Sequence, residues 1–149
     1  MAQLAQLNLA RLKAPKGDPL TDEFFKSIPP INMLAEASPG FVWRLIGDVK
    51  DHTDIEYFLD PLMVVNISVW EDLESFRHFV YKSGHVQYIK RKKEWMDKFD
   101  GPYTVMWWVP DGHTPSLAEA KEKLERLRRD GPTAEAFDLQ NVFSPQGIN

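Results

Sequence analysis

A chain of 149 residues is about one domain long, and 43% hydrophobic with 27% charged residues is too apolar a mixture for a disordered polymer. Eighteen basic against 22 acidic residues, a net charge of -4, leave no electrostatic footprint for nucleic acid, and the absence of cysteine excludes disulfides, thiolate zinc sites and a cysteine nucleophile. No apolar run approaches the ~18 residues of a membrane span and no secretory leader is visible, so the expected setting is cytoplasmic with no membrane partner.

Residues 3–12 predict a first strand, in which Leu7 and Leu9 alternate with Gln6, Asn8 and Ala10. Asp18-Pro19 supplies an N-cap and first helical position for a helix with Leu20, Phe24 and Ile28 on one face. Pro29-Pro30 is expected to interrupt it, with a second helical piece over residues 31–37 ended by Ser38-Pro39-Gly40. Residues 41–46 read as the second strand, residues 47–61 as an exposed loop rich in aspartate, and residues 62–70 as a β-branched third strand. Glu71-Asp72 cap a helix with Leu73, Phe76 and Val80 inward, broken at Ser83-Gly84. A further helix from residue 85 to about 99 places His85, Tyr88, Ile89, Lys92, Met96 and Phe99 along one stripe. Residues 103–109 form the fourth strand.

The C-terminal region carries the clearest local signal. Ser116 and Glu119 make a capping box ahead of a helix with Leu117, Ala120, Leu124 and Leu127 on its apolar stripe. Glu119–Lys123, Glu122–Arg126 and Glu125–Arg129 are i,i+4 pairs in the favourable order. Gly131-Pro132 stops that helix. We therefore divide the chain into a domain over residues 1–130 and a tail over residues 131–149, whose Phe137, Leu139, Val142 and Phe143 are expected to dock on the domain or on a partner subunit.

The order β-α-β-β-α-β, with an extra C-terminal helix and tail, predicts an α+β, ferredoxin-like plait with an antiparallel sheet. Alternation sets Met63, Val65, Ile67 and Val69 against Val64, Asn66, Ser68 and Trp70, and it separates Trp107 from Trp108. Both sheet faces are apolar. Helices on one side would leave the other bare; the last helix and the tail could cover part of it and a second copy all of it, so a homodimer with sheets packed face to face is expected.

Individual residues divide between chemistry and packing. His85, near a helix start and on the apolar stripe, is expected to be neutral and fit to accept a proton, donate a hydrogen bond or ligate a metal, or else simply to pack. His52, His78 and His113 read as solvated, and no metal-ligand spacing is present. The Lys90–Lys93 run reads as a solvated helix face. Arg44, a guanidinium on an apolar strand, calls for a carboxylate, internal or on a ligand. Asn66 and Ser68 need hydrogen-bond partners if buried.

The stretch Val69-Trp70-Glu71-x-x-Glu74-Ser75-Phe76-x-x-Phe79-x-x-x-Ser83-x-His85 resembles the strand-to-helix signature of the dimeric α+β-barrel superfamily, which includes antibiotic-biosynthesis, heme-degrading and chlorite-dismutase-like members. Ser38-Pro39-Gly40-Phe41-Val42-Trp43-Arg44, Trp95, Gly101-Pro102-Tyr103 and Trp107-Trp108-Val109-Pro110 are similar to an uncharacterised bacterial domain-of-unknown-function family within it, over residues 3–130. The resemblance implies a homodimer with a small-molecule pocket between sheet and helices. In heme-degrading members a helix histidine ligates iron; His85 matches it, Asn8 matches a first-strand asparagine, and Phe79 stands where those proteins carry tryptophan. In the antibiotic-pathway oxygenases the substrate itself supplies electrons to oxygen, without metal or flavin. The expected function is accordingly a cofactor-independent, monooxygenase-like activity on an aromatic or polyketide-like substrate. His85, Asn8 and Asn66 would do the chemistry, and Trp43, Arg44, Trp70, Phe79, Tyr81, Tyr88 and Trp108 would shape the pocket. The alternatives are a heme-binding protein with His85 as axial ligand and a non-catalytic binding or structural module.

Overall fold

The structure is a computed structural model, described for residues 2–47, 49, 52–82, 91, 94–97 and 102–145. Five strands form one antiparallel sheet: β1 (Ala2–Leu12), β2 (Phe41–Arg44), β3 (Met63–Trp70), β4 (Met96–Asp97) and β5 (Thr104–Pro110). Among the described residues three whole helices accompany them: α1 (Asp22–Ala37), α2 (Leu73–Lys82) and α3 (Leu117–Asp130). β1 lies at the centre, with β3 and then β2 on one side and β5 on the other. This is the antiparallel α+β plait that the element order predicts. Its register puts Leu4, Gln6 and Asn8 of β1 opposite Trp70, Ser68 and Asn66 of β3, and opposite Trp108, Met106 and Thr104 of β5.

Several local expectations are corrected. Residues 96–97 are strand, not the end of a helix: β1 runs past the reach of β5, and Met96 and Asp97 pair with its last two residues. Asp18 caps a short 3-10 turn (Pro19–Thr21), its side chain accepting from the Leu20 N–H at 2.9 Å, rather than α1 itself. Helix α1 runs unbroken through Pro29 and Pro30, both exposed, so the carbonyls these prolines cannot pair have access to water. The 47–61 segment is not a free loop; it holds a 3-10 turn (Glu56–Leu59) whose Phe58 is fully buried.

Each sheet face has its own roof. Helices α1 and α2 cover the face bearing Leu4, Trp70 and Met106, through Ala35, Phe76 and Phe79. Helix α3 and Phe58 cover the other face, bearing Ala5, Leu7, Leu9, Ile67, Val69, Val105 and Trp107. Trp107 is 1% exposed within the single chain. The chain's own α3 thus lies over this face. The tail closes the free edge of β5, where Met106 and Phe137 exchange both backbone hydrogen bonds (2.8 and 2.9 Å). Ala136 and Phe137, neighbours in sequence, are each fully buried in opposite layers.

The predicted capping box is only half formed. Ser116 Oγ accepts from the Glu119 N–H at 3.1 Å, but the Glu119 carboxylate turns to the Trp107 indole (2.7 Å) and to His113 Nε2 (2.7 Å). His113 is therefore engaged rather than merely solvated. Of the three expected helix pairs Glu122–Arg126 forms, while Glu125 pairs with Lys121 and Arg129 with Asp130. Among the described residues no helix is long and apolar enough to cross a membrane.

Candidate functional site

The sheet face under α1 and α2 is divided in three along β1. At one end Leu4, Trp70, Phe76, Phe79, Met106 and Phe137 form an apolar, aromatic cluster. At the other, Ala10, Leu12, Trp95 and Met96 form a second, joined by Phe24 and Phe25 of α1. Between them the same face carries Gln6, Asn8, Asn66, Ser68 and Thr104, a belt of neutral hydrogen-bonding groups. Helix α1 bridges the two apolar ends, contributing Phe24 and Phe25 to one and Ile31, Leu34 and Ala35 to the other.

The belt is graded in exposure. Gln6 (3% exposed) and Ser68 (6%) are buried, whereas Asn8 and Asn66 are exposed. Gln6 Nε2 donates to Asn66 Oδ1 and to Ser68 Oγ, both at 2.7 Å, and Trp70 Nε1 donates to the same Ser68 Oγ at 2.9 Å. Thr104 Oγ1 donates to Asn8 Oδ1 at 3.2 Å. Asn8 and Asn66 are direct cross-strand partners, which sets their Cβ atoms about 5 Å apart on one face. With both Oδ1 atoms occupied, both NH2 groups are left without a partner among the described residues. Two amide donors side by side, set between two apolar clusters, form a floor that suits an oxygen-bearing planar ligand.

Other expected site residues fall into place around this floor or away from it. Trp70, 1% exposed, is stacked on Phe79 of α2 at 5.2 Å between centroids and 27° between planes. Trp108 is on the same face, its Nε1 donating to the Phe143 carbonyl at 2.7 Å, so it anchors the tail. Arg44 lies opposite Ser68, and its carboxylate partner is internal: Glu36 of α1, at 3.3 Å. Trp43 is on the opposite face, packed against the cluster that holds Val69 and Phe58, because a register shift between Phe41 and Trp43 breaks the alternation of β2. Tyr81, at the end of α2, is 55% exposed. His85 and Tyr88 lie outside the described residues. Among the described residues no group of three or more His, Asp or Glu side chains could hold a metal ion.

Gln6 and Thr104 were not singled out from the sequence. Gln6 carried a usable signal, since amides at positions 6 and 8 of an otherwise apolar strand must share a face. Thr104 carried none, because threonine is an ordinary strand residue.

The chain belongs to the family described as Domain of unknown function (DUF3291), whose model matches residues 3–149. No curated protein matches it. Among solved structures it is similar to SnoaB, a cofactor-independent oxygenase from Streptomyces nogalater, at 15% identity and a TM-score of 0.50, over 76% of this chain and 97% of that one. It is also similar to a protein of unknown function from Nitrosomonas europaea, at 14% identity and a TM-score of 0.52, over 78% of this chain and 97% of that one. A conserved protein from Methanosarcina mazei Go1 gives 14% identity and a TM-score of 0.52, over 72% of this chain and 92% of that one. At these identities the likeness establishes a shared α+β fold and nothing finer.

Proposed function

We propose that this DUF3291 member is a small-molecule enzyme of the cofactor-independent oxygenase type, acting on an aromatic, polyketide-like hydroxyarene held over the Asn8–Asn66 floor. The observation that carries the reading is the pair of exposed, cross-strand asparagines on one sheet face, each with its Oδ1 already hydrogen-bonded, set between two apolar clusters. An oxygenase that uses no metal or flavin must draw electrons from its substrate, and an aryl oxyanion gives them up far more readily than the neutral phenol or enol. Two amide donors aimed at that oxygen stabilise the anion as it forms. The buried Trp70–Phe79 stack fixes the aromatic cluster that bounds the belt at one end. His85 is proposed, on the resemblance alone, as the group that receives the proton. For a substrate with an activated ring methylene the balance is CH2 + O2 → C=O + H2O. All four electrons that reduce dioxygen come from the carbon.

The test is oxygen uptake with anthrone, whose enol is such a hydroxyarene, in metal-free buffer, with anthraquinone measured as product. Turnover by the wild type, lost in Asn66→Ala and reduced in Asn8→Ala with unchanged melting, supports the reading. Equal rates with and without protein refute it. A Soret band on heme titration that disappears in His85→Ala would replace it with the heme-binding alternative. The resemblance also proposes a homodimer, which a lone 17.2 kDa species in sedimentation at micromolar concentration would refute.

A further inference from the structure

Both exposed asparagines receive a hydrogen bond on the oxygen of their amide, from donors on different strands. On Asn66 the donor is Gln6 Nε2 at 2.7 Å, and on Asn8 it is Thr104 Oγ1 at 3.2 Å. Asparagine can turn its amide by half a revolution at little cost, so an exposed one by itself presents a carbonyl as readily as an NH2. A donor fixed behind each Oδ1 removes that freedom. It also polarises the amide, because a hydrogen bond accepted at oxygen draws electron density from nitrogen and strengthens the N–H as a donor.

Gln6 is itself held. It is 3% exposed, and its second N–H goes to Ser68 Oγ, which also accepts from Trp70 Nε1. An indole N–H can only donate, so Trp70 fixes one bond of Ser68 as accepted. The chain Trp70–Ser68–Gln6–Asn66, buried as far as Gln6, therefore links the aromatic cluster to the exposed amide of the floor.

We propose that Gln6 and Thr104 are positioning residues that lock both asparagine amides with NH2 outward, making the floor selective for the anionic form of a hydroxyarene over its neutral form. This rests on the reading of the floor as a hydroxyarene site and adds what sets its polarity. Two donors without an acceptor favour phenolate, whereas turned amides would accept a hydrogen bond from the O–H of neutral phenol instead. The floor carries the preference as a consequence of two residues that never touch the ligand.

The experiment is a spectrophotometric titration of saturating 4-nitrophenol, whose neutral and anionic forms absorb at different wavelengths, bound to the full-length protein. For the wild type the bound phenol's apparent pKa is expected to fall by about one unit, a tenfold preference for the anion. Thr104→Val and Gln6→Met should each return roughly half of that shift, and Thr104→Ser, which keeps the hydroxyl, should retain it. Thr104→Val preserves shape on a strand, so it reports even if the buried Gln6 variant folds poorly. A lowered pKa that Asn8→Ala and Asn66→Ala abolish but Thr104→Val and Gln6→Met leave intact overturns the positioning role and spares the site. Failure of the wild type to bind 4-nitrophenol at all overturns the underlying reading. A raised pKa in the wild type shows the amides turned the other way and overturns the inference.

Discussion

Gly40→Ala is the substitution whose cost the structure defines most closely. Gly40 has a φ of 85°, in the left-handed region, and an added Cβ would stand 2.1 Å from Ser75 Oγ and 2.4 Å from Ser75 Cβ. The backbone conformation alone costs about 1–2 kcal/mol for an L-residue. The collision is with the base of a side chain on the first turn of α2, which cannot swing away, and overpacking of this kind adds about 1–3 kcal/mol. Together the loss is about 2–5 kcal/mol, and at about 3 °C per kcal/mol for a chain of this size the melting temperature should fall by about 6–15 °C. The turn also carries function, because the Gly40 carbonyl accepts from the Glu71 N–H at 2.7 Å and so ties the start of β2 to the end of β3. The assay is a thermal melt by circular dichroism of the wild type, Gly40→Ala, Ser75→Gly and the double variant. Removing the Ser75 side chain leaves its Cα at 3.8 Å, an ordinary contact, so the double variant should recover the collision and keep only the backbone cost. Additive losses in this cycle, or a Gly40→Ala melt within two degrees of wild type, would refute the geometry.

Three further outcomes are expected. Phe137→Ala should cost about 3–5 kcal/mol in urea unfolding, as the fully buried ring locks the tail to β5; an unchanged midpoint would show the tail to be ornamental. Glu119→Ala should cost about 1–3 kcal/mol by stranding the buried Trp107 indole N–H, while Glu119→Gln, which keeps an acceptor, should cost much less; equal losses would disprove the bond. Acid should weaken the fold through Asp60, which the Leu62 backbone N–H and then Arg11 hold below the usual carboxylate range, and through Glu94, Glu125 and Asp130, each lowered first by a hydrogen bond from its basic neighbour. A depressed carboxylate stabilises the native state above its unfolded value of about 4 and loses that contribution as pH falls through the lowered folded value. Urea midpoints should therefore decline below about pH 4, less steeply in Asp60→Asn, and a flat profile there would contradict the assignment.

Alternation and capping were legible without coordinates because they are local. The β1, β3 and β5 strands, the opposed Trp107 and Trp108, the Ser116 cap and the antiparallel plait all follow from residues within a few positions of one another. The candidate floor was half legible: Asn8 and Asn66 stand out as polar residues in apolar strands, but only strand register makes them neighbours. Trp43 shows the reverse case, where a single register shift in β2 moved a side chain that regular alternation would have kept beside Phe41.

What periodicity could not supply was the choice among partners. Glu119 had a capping bond available within its own helix and instead took an indole and an imidazole brought in by folding. Two apolar sheet faces were evident from β3 and β5, yet whether a helix of the same chain or another copy would roof the second depended on where α3 came to rest. Apolar burial is non-directional, so the sequence demanded that both faces be covered, and only the packing of the chain decided by what.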